Sequence, residues 1–170
     1  AEIKARVKSK KIEEYSPITI RGGNLKPITY TMPVASAQVK SAIMLAALYT
    51  KGKTRIIERV PTRDHTERML KLFKARLKVK QNTIVIKGSN ELVSPKKLYI
   101  PGDISSAGFF LVLAAIIPNS KVVIRNVSLN PSRIGMIKVL KRMGADIQVS
   151  SVPAISRGGS AMKYGGRCQV

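Results

Sequence analysis

One pattern limits the folds open to this chain more than any other: a series of strand-like and helix-like segments that occurs twice. ITYTM (28–32) reads as a strand and leads into a helix over 36–49. TRIIERV (54–60) reads as the next strand, followed by a helix over 65–74 and a hairpin made of LKVK and TIVIKG. This order is βαβαββ. It restarts with KLYIP (97–101), a helix over 105–117, KVVIRNV (121–127), a helix over 132–143 and ADIQV (145–149); only its closing strand is not evident. The copies overlay, with Ala46-Ala47 on Ala114-Ala115, Lys53 on Lys121, and MLKLF (69–73) on VLKRM (139–143), offsets of 68 to 70 residues.

Each copy has an apolar face that a neighbouring copy has to cover, and two copies leave some faces bare. The first helix of each is apolar nearly all round (AIMLAAL, then AGFFLVLAAII), which predicts a buried central helix. The second helix is amphipathic. It puts Met69, Leu70 and Leu72-Phe73 on an inner side and Glu67, Arg68 and Lys71 on a wet one. Polar linkers separate the segments, and Pro101-Gly102-Asp103 joins a turn to a carboxylate able to cap the next helix. The tail from Ser150 has no period, and its Gly and Arg content predicts loop or disorder.

Charge narrows the partners. The 170 residues hold 31 Lys plus Arg against nine Asp plus Glu, a net +22, so anions are the expected partners: nucleic acid, phosphorylated metabolites, acidic lipid or an acidic part of a larger protein. The longest apolar run, 107–118, is far shorter than the ~20 residues that cross a bilayer, and the basic, strand-like N-terminus does not resemble a signal peptide. A soluble, untargeted, cytoplasmic protein is expected. With one cysteine (Cys168) and one histidine (His65), no disulfide or metal cluster is expected.

The stretch PVASAQVKSAIMLAALY crowds polar groups at the start of an otherwise apolar helix. A helix start leaves its first four N–H groups without helical partners and carries about half a positive charge. Ser36 at the N-cap could satisfy that end alone. Alternatively Ser36, the amides around Ala37 and Gln38 and a nearby cation form a phosphate site. PTRDHTERML offers the cation, Arg63, with Asp64 as the N-cap of the following helix and Glu67 in capping-box spacing. Parallel strands bring successive helix starts to one sheet edge, which would set Arg63 beside Ser36; otherwise Arg63 is a solvated loop residue.

The motifs PVASAQVKSA, TRDHTERML and PGDISSAGFF, within a stretch from Ile18 to Val149, resemble the middle of 5-enolpyruvylshikimate-3-phosphate (EPSP) synthases. The resemblance implies an α/β fold of βαβαββ units, the inside-out α/β barrel of the enolpyruvyl transferases, here incomplete. It implies residues 1–101 as part of one domain, 102–149 as the start of the other, and 150–170 as an atypical tail. The implied reaction moves the enolpyruvyl group of phosphoenolpyruvate to the 5-hydroxyl of shikimate 3-phosphate, releasing inorganic phosphate, on the route to chorismate and the aromatic amino acids. No cofactor or metal is implied. Ser36, Ala37, Gln38 and Arg63 would bind shikimate 3-phosphate, and Gln38 would also face phosphoenolpyruvate. Ala37 stands where many relatives carry a second Ser, a variation also found in glyphosate-tolerant forms.

By the same resemblance, family members carry a Lys-Ser and Arg segment for shikimate phosphate and an Arg in an R-P-M context for phosphoenolpyruvate before the position of Ile18, and neither appears in this sequence. The acid/base Asp, a Glu and later Lys and Arg residues are expected beyond the C-terminus, so turnover by this chain alone is not expected. The sister UDP-N-acetylglucosamine enolpyruvyl transferases share the fold, but the S-A-Q and T-R-D-H-T wording fits them poorly. A basic nucleic-acid-binding or other non-catalytic anion-binding module is the alternative, with RGG (157–159) and GGR (165–167) as contacts.

Overall fold

A computed structural model describes residues 2–7, 14–88, 91–151 and 165–169. The chain divides into two compact units, one of Ala1–Thr62 with Thr66–Leu92, the other of Arg63–His65 with Val93–Val170.

The first unit begins with an antiparallel ribbon, β1 (Glu2–Val7) and β2 (Glu14–Arg21). It continues through β3 (Thr29–Met32), α1 (Ala37–Ala47), β4 (Lys53–Glu58), α2 (His65–Leu72, joining this unit at Thr66), β5 (Leu77–Lys80) and β6 (Thr83–Lys87). The sheet order is β3-β4-β6-β5, with β3 and β4 parallel and the other neighbours antiparallel. Alternation along β4 turns Thr54, Ile56 and Glu58 inward, and Ile84 and Ile86 of β6 point the same way. Met32, Met44, Ala47 and Leu70 close over them to form the core, so the helices cover one face of a two-layer unit. The end of β6 presses on the end of α1. A Cβ at Gly88 would lie 2.1 Å from the Thr50 carbonyl oxygen and 2.4 Å from that of Ala47, so only glycine fits.

The second unit runs α3 (Ile104–Ile116), β7 (Val123–Ser128), α4 (Gly135–Arg142), β8 (Gln148–Ser151) and β9 (Gly165–Gln169). The sheet order is β7-β9-β8, with β9 antiparallel to both neighbours. Gly102 forms a single parallel bridge to Val127. Bridge, β7, β9 and β8 thus occupy the places of β3, β4, β6 and β5, and the duplicated βαβαββ order holds in space. Ile104, Ala107, Leu111, Val127, Ile137 and Ile147 form the core.

Four expectations need correction. Residues 97–101 are not a strand: among the described residues nothing pairs with them, the nearest bridge is that of Gly102 to Val127 just after them, and Ile100 is 79% exposed. The tail is not all loop, because Ser150 and Ser151 end β8 and GGRCQ is the central strand β9; the RGG at 157–159 lies outside the described residues. The apolar helices are not buried all round. Only Lys40, Met44 and Ala47 of α1 are buried, and α3 leaves Phe109 81% exposed, since a two-layer unit covers one side of each rod. In α2, Glu67 is buried rather than wet and Met69 is exposed, so the helix is rotated relative to the expected faces.

Candidate functional site at the start of the first repeat helix

The backbone at Ser36 is extended (φ −136°, ψ 110°), and its hydroxyl oxygen accepts from the Val39 N–H at 3.3 Å. Its carbonyl accepts from the Lys40 N–H at 3.0 Å, and its hydroxyl donates to Gln38 Oε1 at 3.4 Å. The N–H groups of Ala37 and Gln38 have no partner among the described residues, and Gln38 is exposed. Ser36, Ala37 and Gln38 therefore stand together, two open amides and an amide side chain at the positive end of α1.

The matching helix start in the second unit is closed. Asp103 caps α3, its carboxylate accepting from the Ser105 N–H (3.1 Å), the Ser106 N–H (3.3 Å) and the Ser106 hydroxyl (3.3 Å). Arg133 reaches Asp103 Oδ1 at 3.4 Å and also contacts the Ser105 hydroxyl. The Ser105 amide, with the Ser106 bonds and the Arg133 charge, holds the Asp103 carboxyl below its ordinary value of 3.8. One repeat thus supplies its own anion at the helix start. The other places a neutral serine there and leaves the positive end open.

Arg63 belongs to the second unit, in the segment Arg63–His65, and is half-buried. That segment is held by Asn130, a buried side chain whose Nδ2 donates to Asp64 Oδ1 at 2.7 Å and lies 3.4 Å from His65 Nε2. Ser132 adds a longer bond to the same oxygen (3.5 Å), and its N–H binds Asn130 Oδ1 (3.1 Å).

Sequence reasoning missed what lies beneath the α1 start. Lys40, fully buried, puts its Nζ 2.6 Å from Glu67 Oε1 and 3.1 Å from Glu58 Oε1. These are close ionic contacts without hydrogen-bond alignment, and Glu67 Oε2 has no hydrogen-bond partner among the described residues. Glu67 therefore does not close the expected capping box. Glu58 Oε1 also accepts from the Thr62 N–H (3.0 Å) and hydroxyl (2.6 Å), and Ser41 Oγ meets Thr66 Oγ1 at 2.6 Å. The available signal was periodicity: Lys40 lies in line with Met44 and Ala47, Glu58 alternates with Thr54 and Ile56, and Glu67 precedes Leu70 by three. Among the described residues no group of His, Cys, Asp and Glu could hold a metal, and no helix is long and apolar enough to cross a membrane.

Residues 1–168 match the sequence profile of EPSP synthase (3-phosphoshikimate 1-carboxyvinyltransferase). The 3-phosphoshikimate 1-carboxyvinyltransferase of Geobacillus thermodenitrificans (strain NG80-2) is 51% identical over 151 residues, 89% of this chain and 35% of the relative. That of Petrotoga mobilis (strain DSM 10674 / SJ95) is 52% identical over 142 residues, 83% of this chain and 33% of the relative. The solved EPSP synthase from Acinetobacter baumannii superposes with a TM-score of 0.78 at 42% identity, covering 100% of this chain and 37% of that one. The chain spans about a third of the length of the curated relatives it matches. Its fold is that of EPSP synthase structures, in an incomplete set of βαβαββ units. The profile match extends through residues 150–168. A repeated architecture, the identity of the relatives and a profile match over nearly the whole chain lead to one assignment: this chain belongs to the EPSP synthase family.

Proposed function

We propose that the chain is part of a cytoplasmic enolpyruvyl transferase of the EPSP synthase kind, and that it binds shikimate 3-phosphate at the start of α1. The reaction moves the enolpyruvyl group of phosphoenolpyruvate to the 5-hydroxyl of shikimate 3-phosphate and releases inorganic phosphate. The observation that carries this reading is the contrast between the two repeats, Asp103 filling the α3 start while the α1 start keeps the Ala37 and Gln38 amides open. Negative charge is favoured there by dipole, amides and the Ser36 hydroxyl together. Ala37, lacking a side-chain donor, contributes its amide alone. Gln38, exposed, also serves the phosphoenolpyruvate side. Arg63 is assigned to the substrate phosphate on its place in the TRDHTERML motif, where a planar guanidinium suits a phosphate bidentately. No residue of this chain is assigned a proton-transfer step. Calorimetry tests the reading. Shikimate 3-phosphate should bind saturably, and Arg63→Ala and Gln38→Ala should each weaken it, the arginine change by about tenfold or more. Binding that ignores both substitutions would remove the assignment.

A second, additional reading rests on the sheet face turned away from the helices. Its cavity of about 870 Å³ is lined by Lys53, Arg55, Arg76, Lys78, Lys80 and Lys87, with no acidic or aromatic residue on its wall. None of the six cations has an ion pair among the described residues. Such a face suits a nucleic-acid phosphate backbone without base selection. Binding of a short labelled duplex should weaken steeply with salt, and Lys78→Glu/Lys80→Glu/Lys87→Glu should reduce the slope more than Lys138→Glu/Lys141→Glu/Arg142→Glu. Equal losses would reduce the effect to net charge.

A further inference from the structure

We infer that the buried Lys40–Glu58–Glu67 cluster is a positioning element for the anion-binding start of α1; this rests on the proposed substrate reading. The cluster joins three segments of the first unit: the first turn of α1, the last residue of β4 with the loop after it, and the first turn of α2. Lys40 is engaged at both ends. Its N–H donates to the Ser36 carbonyl (3.0 Å), and its Nζ is gripped by Glu67 (2.6 Å) and Glu58 (3.1 Å). A shift of the side chain therefore moves the Ser36 peptide and the open amides beside it. Glu58 Oε1 meets three donors, Lys40 Nζ and both the N–H and hydroxyl of Thr62, which ties the loop leading to Arg63 to the same carboxylate. The Ser41–Thr66 hydroxyl contact (2.6 Å) fastens the next residue of α1 to α2.

Stability is a poor explanation for this arrangement. Removing three charges from water is costly, and apolar residues of similar volume usually hold a core at least as well as a buried ionic triad. The Glu67 Oε2 atom even lacks a hydrogen-bond partner among the described residues. What apolar packing cannot supply is direction: ionic contacts of fixed reach set the rotation and depth of the α1 start against its two neighbours. Anion sites built from amides need such placement, because a small displacement of the donors loses the ligand.

The test separates position from stability. Lys40→Met/Glu58→Gln/Glu67→Leu removes all three charges, leaves no lone buried ion, and keeps an acceptor for Thr62. The expected result is a folded protein with an unchanged or higher melting temperature. It should bind shikimate 3-phosphate about tenfold more weakly and show faster hydrogen exchange at the Val39 and Lys40 amides, the two bonded to Ser36. Wild-type affinity with wild-type exchange would overturn the inference. If the unaltered chain binds no shikimate 3-phosphate, the substrate reading fails, and amide exchange alone still decides whether the cluster holds the helix start. Should the triple variant not fold, Glu58→Gln by itself decides: it keeps the Thr62 bonds and the Lys40–Glu67 pair, and weaker binding with faster exchange supports the inference, whereas no change in either overturns it.

Discussion

A single substitution in the repeat, serine at position 36 against aspartate at 103, separates an open helix start from a closed one. The Asp103 carboxylate is bound by two amides, a hydroxyl and a guanidinium, and its pKa falls below 3.8. The folded state thus holds this carboxylate ionised more strongly than the unfolded chain does. The stabilisation is fully present above the unfolded value, near 3.8, and is lost as pH falls through the lower folded value. Asp103 is exposed, so solvent screens the effect and its size is small. Unfolding titrations of wild type and Asp103→Asn should run parallel from pH 7 to about pH 5, then converge in acid as the wild type loses its advantage. A constant gap down to the most acid pH would show that the carboxylate is not differentially ionised.

The elements themselves were largely legible. Strands and helices from Thr29 to Lys87 fall where alternation and helical period put them, because their inner faces are apolar and their turns polar. The failures have physical causes. GGRCQ lacks an alternating apolar face, and its place between β7 and β8 comes from backbone pairing on both edges. KLYIP has strand-like composition but no strand partner among the described residues, the nearest bridge being that of Gly102 just after it. The inward turn of Glu67 could have been read, since Lys40 and Glu58 also sit on apolar stripes and three such charges can be buried together only as partners. Of the residues proposed to bind substrate, Ser36, Ala37 and Gln38 were visible at the polar start of an apolar helix, whereas Arg63 was visible through its motif. Two substitutions test the packing reading. Gly88→Ala places a methyl group against two carbonyl oxygens of α1 and its C-terminal turn, and should lower the urea midpoint markedly. Phe109→Ser, on the bare side of α3, should leave stability within about 0.5 kcal/mol of wild type, since that ring is mostly in solvent already.

At the scale of the whole molecule, the charge is more lopsided than its count suggests. Two of the nine acidic residues, Glu58 and Glu67, are buried on Lys40 and do little to offset the surface cations. Self-repulsion among the remaining charges destabilises the compact state, and a screening length of about 10 Å at 0.1 M salt weakens it. The melting temperature should therefore rise by a few degrees between low and physiological sodium chloride. A flat or falling profile would mean that local ion pairs outweigh the net field. The order of the second sheet has its own consequence during synthesis. Strands β7 and β8 emerge from the ribosome well before the strand that separates them, and each offers an unpaired edge until Gly165–Gln169 arrives to join both. A nascent chain cut short of those five residues would carry two sticky margins, and its default fate is aggregation rather than a smaller folded product.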